Sequence, residues 1–196
     1  GIKKGNVPYG TLSSIDESIF KFGKLVTGSD DGLVQLSFDG GNQWKIISND
    51  LPKNLWVSRV VFSKHKEDRI YVTLNGYRFD DFKPYVFVTE DNGENWKSLD
   101  SNLPISSLNV IKEDPYYEDL LYLGTDNGVY MSFDKGLSWN SFNQGLQKVA
   151  THDLVIQERA KDLLIGTHGR SIYKMDLSVI YSFLEKRNLK QNHYII

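Results

Sequence analysis

Ser37-Phe-Asp-Gly-Gly-Asn-Gln-Trp44, Thr89-Glu-Asp-Asn-Gly-Glu-Asn-Trp96 and Ser132-Phe-Asp-Lys-Gly-Leu-Ser-Trp139 align without gaps. Their shared form is Ser/Thr-x-Asp-x-Gly-x-x-Trp. Asp39 and Asp91 lie 52 residues apart, Asp91 and Asp134 lie 43 apart. Three copies of a four-position pattern at that spacing mark an internal repeat, the signal that decides a fold before any other. The pattern reads as a hairpin turn with its own staples. The aspartate accepts N–H bonds within the turn, the glycine takes a backbone conformation that a Cβ forbids, and the Trp packs between sheets. Asp39, Asp91 and Asp134 are therefore read as structural rather than catalytic, together with Ser37, Gly41, Trp44, Thr89, Gly93, Trp96, Ser132, Gly136 and Trp139.

A second repeat precedes each turn. Leu25–Gly32, Leu121–Gly128 and Leu163–Arg170 share an apolar strand ending in Gly-Ser or Gly-Thr, and each leads into another short alternating strand. In the second unit the matching strand is Ile70–Leu74. It is followed by an insertion, Asn75–Pro84, and then by Tyr85–Val88. The third unit divides into four strands, Ser107–Ile111, Leu120–Gly124, Val129–Ser132 and Trp139–Phe142, each bounded by turn-forming residues. Units of this length with four strands each describe propeller blades. The sequence thus predicts an all-β chain of about four four-stranded antiparallel blades, at about 8–48, 55–100, 105–143 and 149–178. The fourth unit has no Asp turn. After Asp176 the pattern changes, and Ile180–Leu189 has near-helical spacing, so residues 179–196 are expected as a partly helical tail with 191–196 loose.

Composition limits the function classes. A formal net charge of -2 and the absence of any basic stripe argue against nucleic acid, because nothing is there to neutralise phosphates. No apolar run approaches the roughly 20 residues that span a bilayer as a helix. The chain has 0 cysteines, which removes disulfides and thiolate chemistry. His65, His152, His168 and His193 lack zinc spacing, and Asp30-Asp31, Asp80-Asp81 and Asp126-Asn127 lack EF-hand spacing, so no metal and no cofactor is expected. Neither a phosphate-binding glycine loop nor a nucleophile elbow is present.

These turns resemble those of the BNR/Asp-box propellers, which include sialidases, xyloglucan-cleaving glycosidases and sortilin/VPS10 receptors. A closer resemblance covers roughly residues 8–178, through Pro8-Tyr-Gly-Thr11, Ser29-Asp-Asp-Gly32, Trp56-Val-Ser-Arg59, Gly76–Tyr85, Lys112-Glu-Asp-Pro115 and Gly166-Thr-His-Gly-Arg170. In this order they are similar to the C-terminal part of large exported bacterial proteins labelled sortilin-like or "glycosyl hydrolase, BNR repeat". The resemblance implies a secreted, periplasmic or cell-surface location. It also implies further blades that complete a larger propeller, with the chain as a piece of it. It does not settle activity, since one fold hosts many functions.

Blade geometry says where a ligand is expected. The Asp turns join third and fourth strands on one rim. The opposite rim gathers Ser29–Gly32, Asn75–Pro84, Thr125–Gly128 and Thr167–Arg170, with Trp56, Arg59 and His152 beside them, and loops that converge at such a mouth are where binding is sought. The insertion is the richest of these. Tyr77, Phe79 and Phe82 can stack on a sugar or an apolar partner, Arg78 can hold a carboxylate, and Asp80 and Asp81 can serve as acid, base or hydroxyl acceptor. The alternative is an Arg–Asp staple that stiffens an exposed loop. His168 and Arg170 are candidates of the same kind, against a polar plug linking adjacent blades. The leading functional expectation is a non-catalytic or scaffold segment that binds protein or glycan. The alternatives are a glycoside hydrolase fragment with part of its site in other blades, and an assembly piece pairing through open strand edges.

Overall fold

A computed structural model describes residues 10–142, 145, 146 and 148–192. Residues 8, 9 and 143 of the expected blades, and 193–196 of the expected loose tail, lie outside the described residues. The first sheet is β1 (Leu12–Glu17), β2 (Leu25–Ser29), β3 (Val34–Ser37) and β4 (Lys45–Ile46). The second is β5 (Trp56–Phe62), β6 (Ile70–Gly76), β7 (Asp81–Thr89) and β8 (Lys97–Ser98). The third is β9 (Leu108–Glu113), β10 (Leu121–Thr125), β11 (Gly128–Ser132) and β12 (Asn140–Ser141). The fourth is β13 (Thr151–Gln157), β14 (Asp162–Thr167) and β15 (Ile172–Asp176), followed by the helix α1 (Ser178–Asn192). Within every sheet the strands pair antiparallel in chain order. This is the all-β blade arrangement that the repeat predicts, with one correction. The fourth sheet has three strands, because past Asp176 the chain turns into α1 instead of an Asp turn and outer strand.

The first strands β1, β5, β9 and β13 lie side by side along the inner edge of the arc. They are joined across sheets by short polar side chains. Ser13 Oγ donates to the Val57 carbonyl at 2.7 Å, Asp16 Oδ2 accepts from the Phe62 N–H at 2.8 Å, and Ser58 Oγ donates to the Leu108 carbonyl at 2.8 Å. Inner-edge backbone groups would otherwise face no ladder partner. The core lies between the sheets in three layers. Val26, Val34 and Leu36 meet Val60, Ile70 and Val72 between the first two sheets. Tyr71, Val86 and Val88 meet Ile111, Leu121 and Leu123 in the next layer, and Tyr122 and Met131 meet Leu154, Leu163 and Ile165 in the last. Period-2 alternation produces this directly, since successive side chains of each inner strand serve opposite layers.

Helix α1 follows β15 in the chain and packs on the turn rim, against the β9–β10 turn through Tyr181 and the β13–β14 turn through Leu177. Asp176 accepts the Ser178 N–H at 2.8 Å, an Asx cap at the helix start. Leu177, Tyr181 and Leu184 are buried against the third and fourth sheets. The Tyr181 and Tyr122 hydroxyls both donate to Asp114 Oδ2, at 2.7 and 2.9 Å. Burial, followed by the nearby Asp114 carboxylate, pushes both phenols up.

Candidate functional site

The three Asp turns occupy corresponding places between the third and outer strands of successive sheets. In the second, Thr89 Oγ1 donates to Asp91 Oδ1 at 2.7 Å and accepts the Gly93 N–H at 2.9 Å, while Asp91 accepts the Asn95 N–H at 2.9 Å. The same bonds recur for Ser37, Asp39, Gly41 and Gln43, and for Ser132, Asp134, Gly136 and Ser138. Hydrogen bonds from Asn95 and then Thr89 bring Asp91 down from the ordinary 3.8 to about 2. Side chains so fully engaged in their own turn have few lone pairs left for a ligand.

Between the second and third sheets this rim carries a buried ionic knot. Glu113, at the end of β9, accepts from Ser63 Oγ at 2.7 Å, the Lys64 N–H at 2.5 Å, Tyr71 Oη at 2.9 Å and Arg69 Nη1 at 3.3 Å. Arg69 also binds Glu90 and Glu118, each at 2.8 Å. Nothing in the repeat points to Glu113 as a site. Its only sequence signal is the Lys112-Glu-Asp-Pro115 stretch.

The loop rim is built differently. Asn75 lies next to the end of β6, and its Oδ1 accepts the Tyr77 N–H at 3.0 Å. Its Nδ2 donates to Asn109 Oδ1 at 2.9 Å, and Asn109 Nδ2 donates to Asp126 Oδ1 at 2.9 Å. This amide relay, which the sequence reading passed over, runs from the second sheet to the third and holds the insertion in place. The insertion is also shorter than expected. Tyr77–Phe79 form one 3-10 turn, Asp80 follows at a left-handed φ of 57°, and Asp81–Pro84 already belong to β7. The ladder jumps from the pair Leu74 and Tyr85 to the pair Gly76 and Asp81, so Phe82, Lys83 and Pro84 bulge outward opposite Asn75. Pro84 has no N–H to offer a ladder, and a bulge is where a strand tolerates it.

Tyr77 and Phe79 on this turn and Phe82 on the adjoining bulge each leave nearly half their surface exposed. Arg78 folds back so that its guanidinium carbon lies 5.2 Å from the centre of the Trp56 ring, a cation–π stack between the insertion and the start of β5. Of the two expected roles for Arg78, the Asp staple is replaced by this stack. Asp81 instead accepts Tyr85 Oη at 2.7 Å and the Lys83 N–H at 3.2 Å. The Tyr85 bond holds the Asp81 carboxyl below the usual range, and burial followed by Asp81 pushes the Tyr85 phenol up to about 12. Asp81 is thus poised to accept hydrogen bonds as an anion, and a general acid at neutral pH needs the opposite shift.

Arg59, three residues along β5 from Trp56, donates from Nη2 to Asp153 Oδ1 at 2.8 Å, tying the second sheet to β13 of the fourth. Lys112 on β9 is lowered chiefly by burial, then by Lys64, against the pull of Asp16. Arg59 thus serves as a strut between the second and fourth sheets, with its side chain still partly exposed. The His168 ring lies 5.4 Å from that of His152, and the His168 backbone N–H donates to the Ala150 carbonyl at 2.9 Å. Both partners belong to its own sheet, so the expected plug between adjacent blades is not formed by His168. Arg170 is exposed beside it. Among the described residues no cluster of three or more His, Asp or Glu is arranged to hold a metal ion, and no helix is long and apolar enough to cross a membrane.

No protein-family model matches the chain, and no curated protein matches it. Solved structures do. A GH74 xyloglucanase from Xanthomonas campestris superposes with a TM-score of 0.68 at 13% identity, covering 85% of this chain and 29% of that one. The GH74 enzyme of Niastella koreensis gives 0.62 at 14% identity, covering 87% of this chain and 24% of that one. YCF48 bound to D1 peptide gives 0.62 at 16% identity, covering 87% and 53%. The chain spans under a third of those two GH74 enzymes and about half of YCF48. At these identities the likeness is one of fold, and the fold is a β-propeller arc of four blades.

Proposed function

We propose that this chain is a segment of an Asp-box propeller that binds a protein or glycan ligand at its loop rim, with further blades completing the ring. The observation that carries the reading is the Tyr77–Phe79 turn. It presents two half-exposed aromatic rings, Tyr77 and Phe79, with Phe82 of the adjoining bulge beside them, on a turn held by the Asn75–Asn109–Asp126 relay and with Arg78 already stacked on Trp56. Aromatic and arginine side chains that are fixed before binding lose little conformational freedom on contact, which is why they anchor interfaces. The peptide held by YCF48, a protein of similar fold, supports a peptide as one ligand class. The anionic Asp81 suits an acceptor of sugar hydroxyls or peptide N–H groups better than a glycosidase acid. The kinship with BNR/Asp-box, sortilin-like proteins, and a secreted, periplasmic or cell-surface location, belong to the same proposal.

The test is a glycan array and a peptide array probed with the purified chain, alongside polysaccharide hydrolysis assays. Binding by either class that falls at least tenfold in Arg78→Ala or Phe79→Ala, at unchanged melting temperature, supports the reading. Binding indifferent to both changes overturns the placement of the site. Hydrolysis lost in Asp81→Asn overturns the non-catalytic role.

A further inference from the structure

The three Asp turns are alike in sequence and unlike in surroundings. Trp96 Nε1 donates to the carbonyl of Ile47 at 2.7 Å, and Trp139 Nε1 to the carbonyl of Leu99 at 2.7 Å. Ile47 and Leu99 hold one position, the residue just after the outer strand of the sheet before, each with its N–H donated to the third strand, at Val34 and Val86. The turn glycines rest on the same two side chains. A Cβ on Gly93 would come within 2.5 Å of Ile47, and one on Gly136 within 2.9 Å of Leu99. Trp44 has no such seat among the described residues. Its Nε1 donates to the Gly41 carbonyl of its own turn at 2.9 Å, and the ring remains 39% exposed where Trp139 is 4% exposed.

Strand register extends the contrast over a whole face. Leu12, Val57 and Leu108 correspond, as do Ile15, Val60, Ile111 and Leu154. Val57, Val60, Leu108 and Ile111 are 0% exposed and Leu154 is 1% exposed, but Leu12 is 61% and Ile15 65% exposed. Alternation puts Leu33, Trp44 and Ile46 on the same side of the first sheet, and all three are exposed. A contiguous apolar face of this kind marks an interaction surface.

We infer that this face of the first sheet docks one further four-stranded blade, whose outer strand is followed by an apolar residue with a free carbonyl that seats Trp44 as Ile47 seats Trp96. The inference rests on the reading of the chain as a propeller segment, and it adds the surface, its key residue and the chemistry of the partner. Phe22 sharpens that chemistry. Glu67 and Glu118, each two residues before the second strand's lead-in residue, meet the cations Lys24 and Arg69 of the sheet before, at 3.8 and 2.8 Å. Phe22 stands in the corresponding place and is 95% exposed. The incoming blade therefore carries an apolar residue where the first two sheets carry Lys24 and Arg69, as the third sheet does with Leu120. A second copy of the chain does not fit, because its fourth sheet passes from β15 into α1 and offers no carbonyl after an outer strand.

The probe is the chain's own third blade, residues 105–148, fused directly ahead of Gly10. It supplies Leu120 for Phe22 and Phe142, whose N–H also returns to the third strand, for Trp44. Iodide quenching attributable to Trp44, taken as the difference between each protein and its Trp44→Phe version, is expected to fall at least fivefold in the fusion. A parallel fusion of the second blade, residues 55–100, brings Arg69 against Phe22 and is expected to protect Trp44 less. If the fusion folds and Trp44 stays as quenchable as before, the inference is overturned. A concentration-dependent dimer of the unfused chain that protects Trp44 names a second copy as the occupant and overturns it as well. Should the fusion not fold, the unfused chain decides. Trp44→Phe is expected to leave its melting temperature unchanged while Trp96→Phe lowers it, and equal losses overturn the inference. Ligand binding at the loop rim is measured separately through Arg78 and Phe79, so the two failures are distinguishable.

Discussion

The two rims of this arc solve opposite problems with similar residues. On the turn rim, aspartates, serines and tryptophans repeat from sheet to sheet, and nearly every polar atom is bound within its own turn or to the next sheet. On the loop rim the short turns Ser29–Gly32 and Thr125–Gly128 resemble each other, but one blade alone carries an aromatic insertion whose rings are half-exposed. A carboxylate means something different in each setting. Asp134 accepts from Ser132, the Ser138 N–H and Ser138 Oγ, all local, whereas Asp126 and Asp153 reach partners that position another blade. The comparison teaches that satisfied repetition marks the scaffold, and on the function proposed above the unrepeated exposure on a fixed base is the surface left for recognition.

The largest effect that tests this division is expected at Trp139. Its ring is buried and its Nε1 donates to Leu99, while its own N–H and carbonyl are both held by Asn102. Trp139→Ala is expected to cost about 3–5 kcal/mol, the range for a buried aromatic replaced by alanine. Urea unfolding measures it, with Trp44→Ala as the internal reference at about 0.5 kcal/mol or less, as for surface positions. Similar costs for the two would break the claim that seating, rather than the motif, stabilises the turn.

Next in size is the amide relay. Asn109→Ala leaves Asn75 Nδ2 and Asp126 Oδ1 without their partner, and a buried polar group stranded in this way costs about 1–3 kcal/mol. Amide hydrogen exchange at Tyr77 is expected to speed up beyond what the global loss accounts for. If exchange there follows global unfolding alone, the relay does not hold the insertion.

The Asp turns contribute less each and respond to acid. The folded Asp91 carboxyl lies at about 2, below its ordinary 3.8, and the Glu118 carboxyl is held at about 2 by Lys135 and then Arg69. A carboxyl depressed in the folded state favours folding fully above its unfolded value and loses that contribution as pH falls toward the folded one. The melting temperature is therefore expected to drop between pH 4 and 2, within the window set by 3.8 and about 2. Asp91→Asn is expected to melt lower at pH 7, by about 1 kcal/mol as for a lost cap, and to show a shallower acid drop. An unchanged acid slope would remove Asp91 from the account.

Much of this was legible in the sequence, for physical reasons. Ser/Thr-x-Asp-x-Gly-x-x-Trp encodes a turn through local bonds, so three copies suffice to place three hairpins and the sheets around them. Period-2 alternation placed β6 and β10 within a residue or two. What the sequence did not reveal depends on contacts distant along the chain. Arg78 beside Asp80 and Asp81 suggests an ion pair, but the ring that captures it belongs to Trp56, on another strand. Glu113 has five residues of ordinary strand before it and becomes a buried hub only because Ser63, Arg69 and Tyr71 of the preceding sheet converge on it. The fourth sheet's missing outer strand was half legible. The absent Asp turn and the helical spacing after Asp176 were visible, but not that α1 would anchor to the turn rim of the third sheet through Tyr181 and Asp114.

The smallest effect on stability carries the most functional weight. Arg78→Ala removes an exposed stack that no layer of the core depends on, so the change in unfolding free energy is expected to stay within about 0.5 kcal/mol. The same change frees Trp56 and unfastens the aromatic turn from β5, so a ligand must then order both on binding, at about 0.5–1.5 kcal/mol for each side chain immobilised. Ligand affinity is accordingly expected to fall about tenfold or more, with Arg78→Lys recovering little because an ammonium does not stack flat on an indole. Stability spared and affinity lost at one residue is the signature of a recognition surface. Stability and affinity falling together would instead return the insertion to the scaffold and erase the distinction between the two rims.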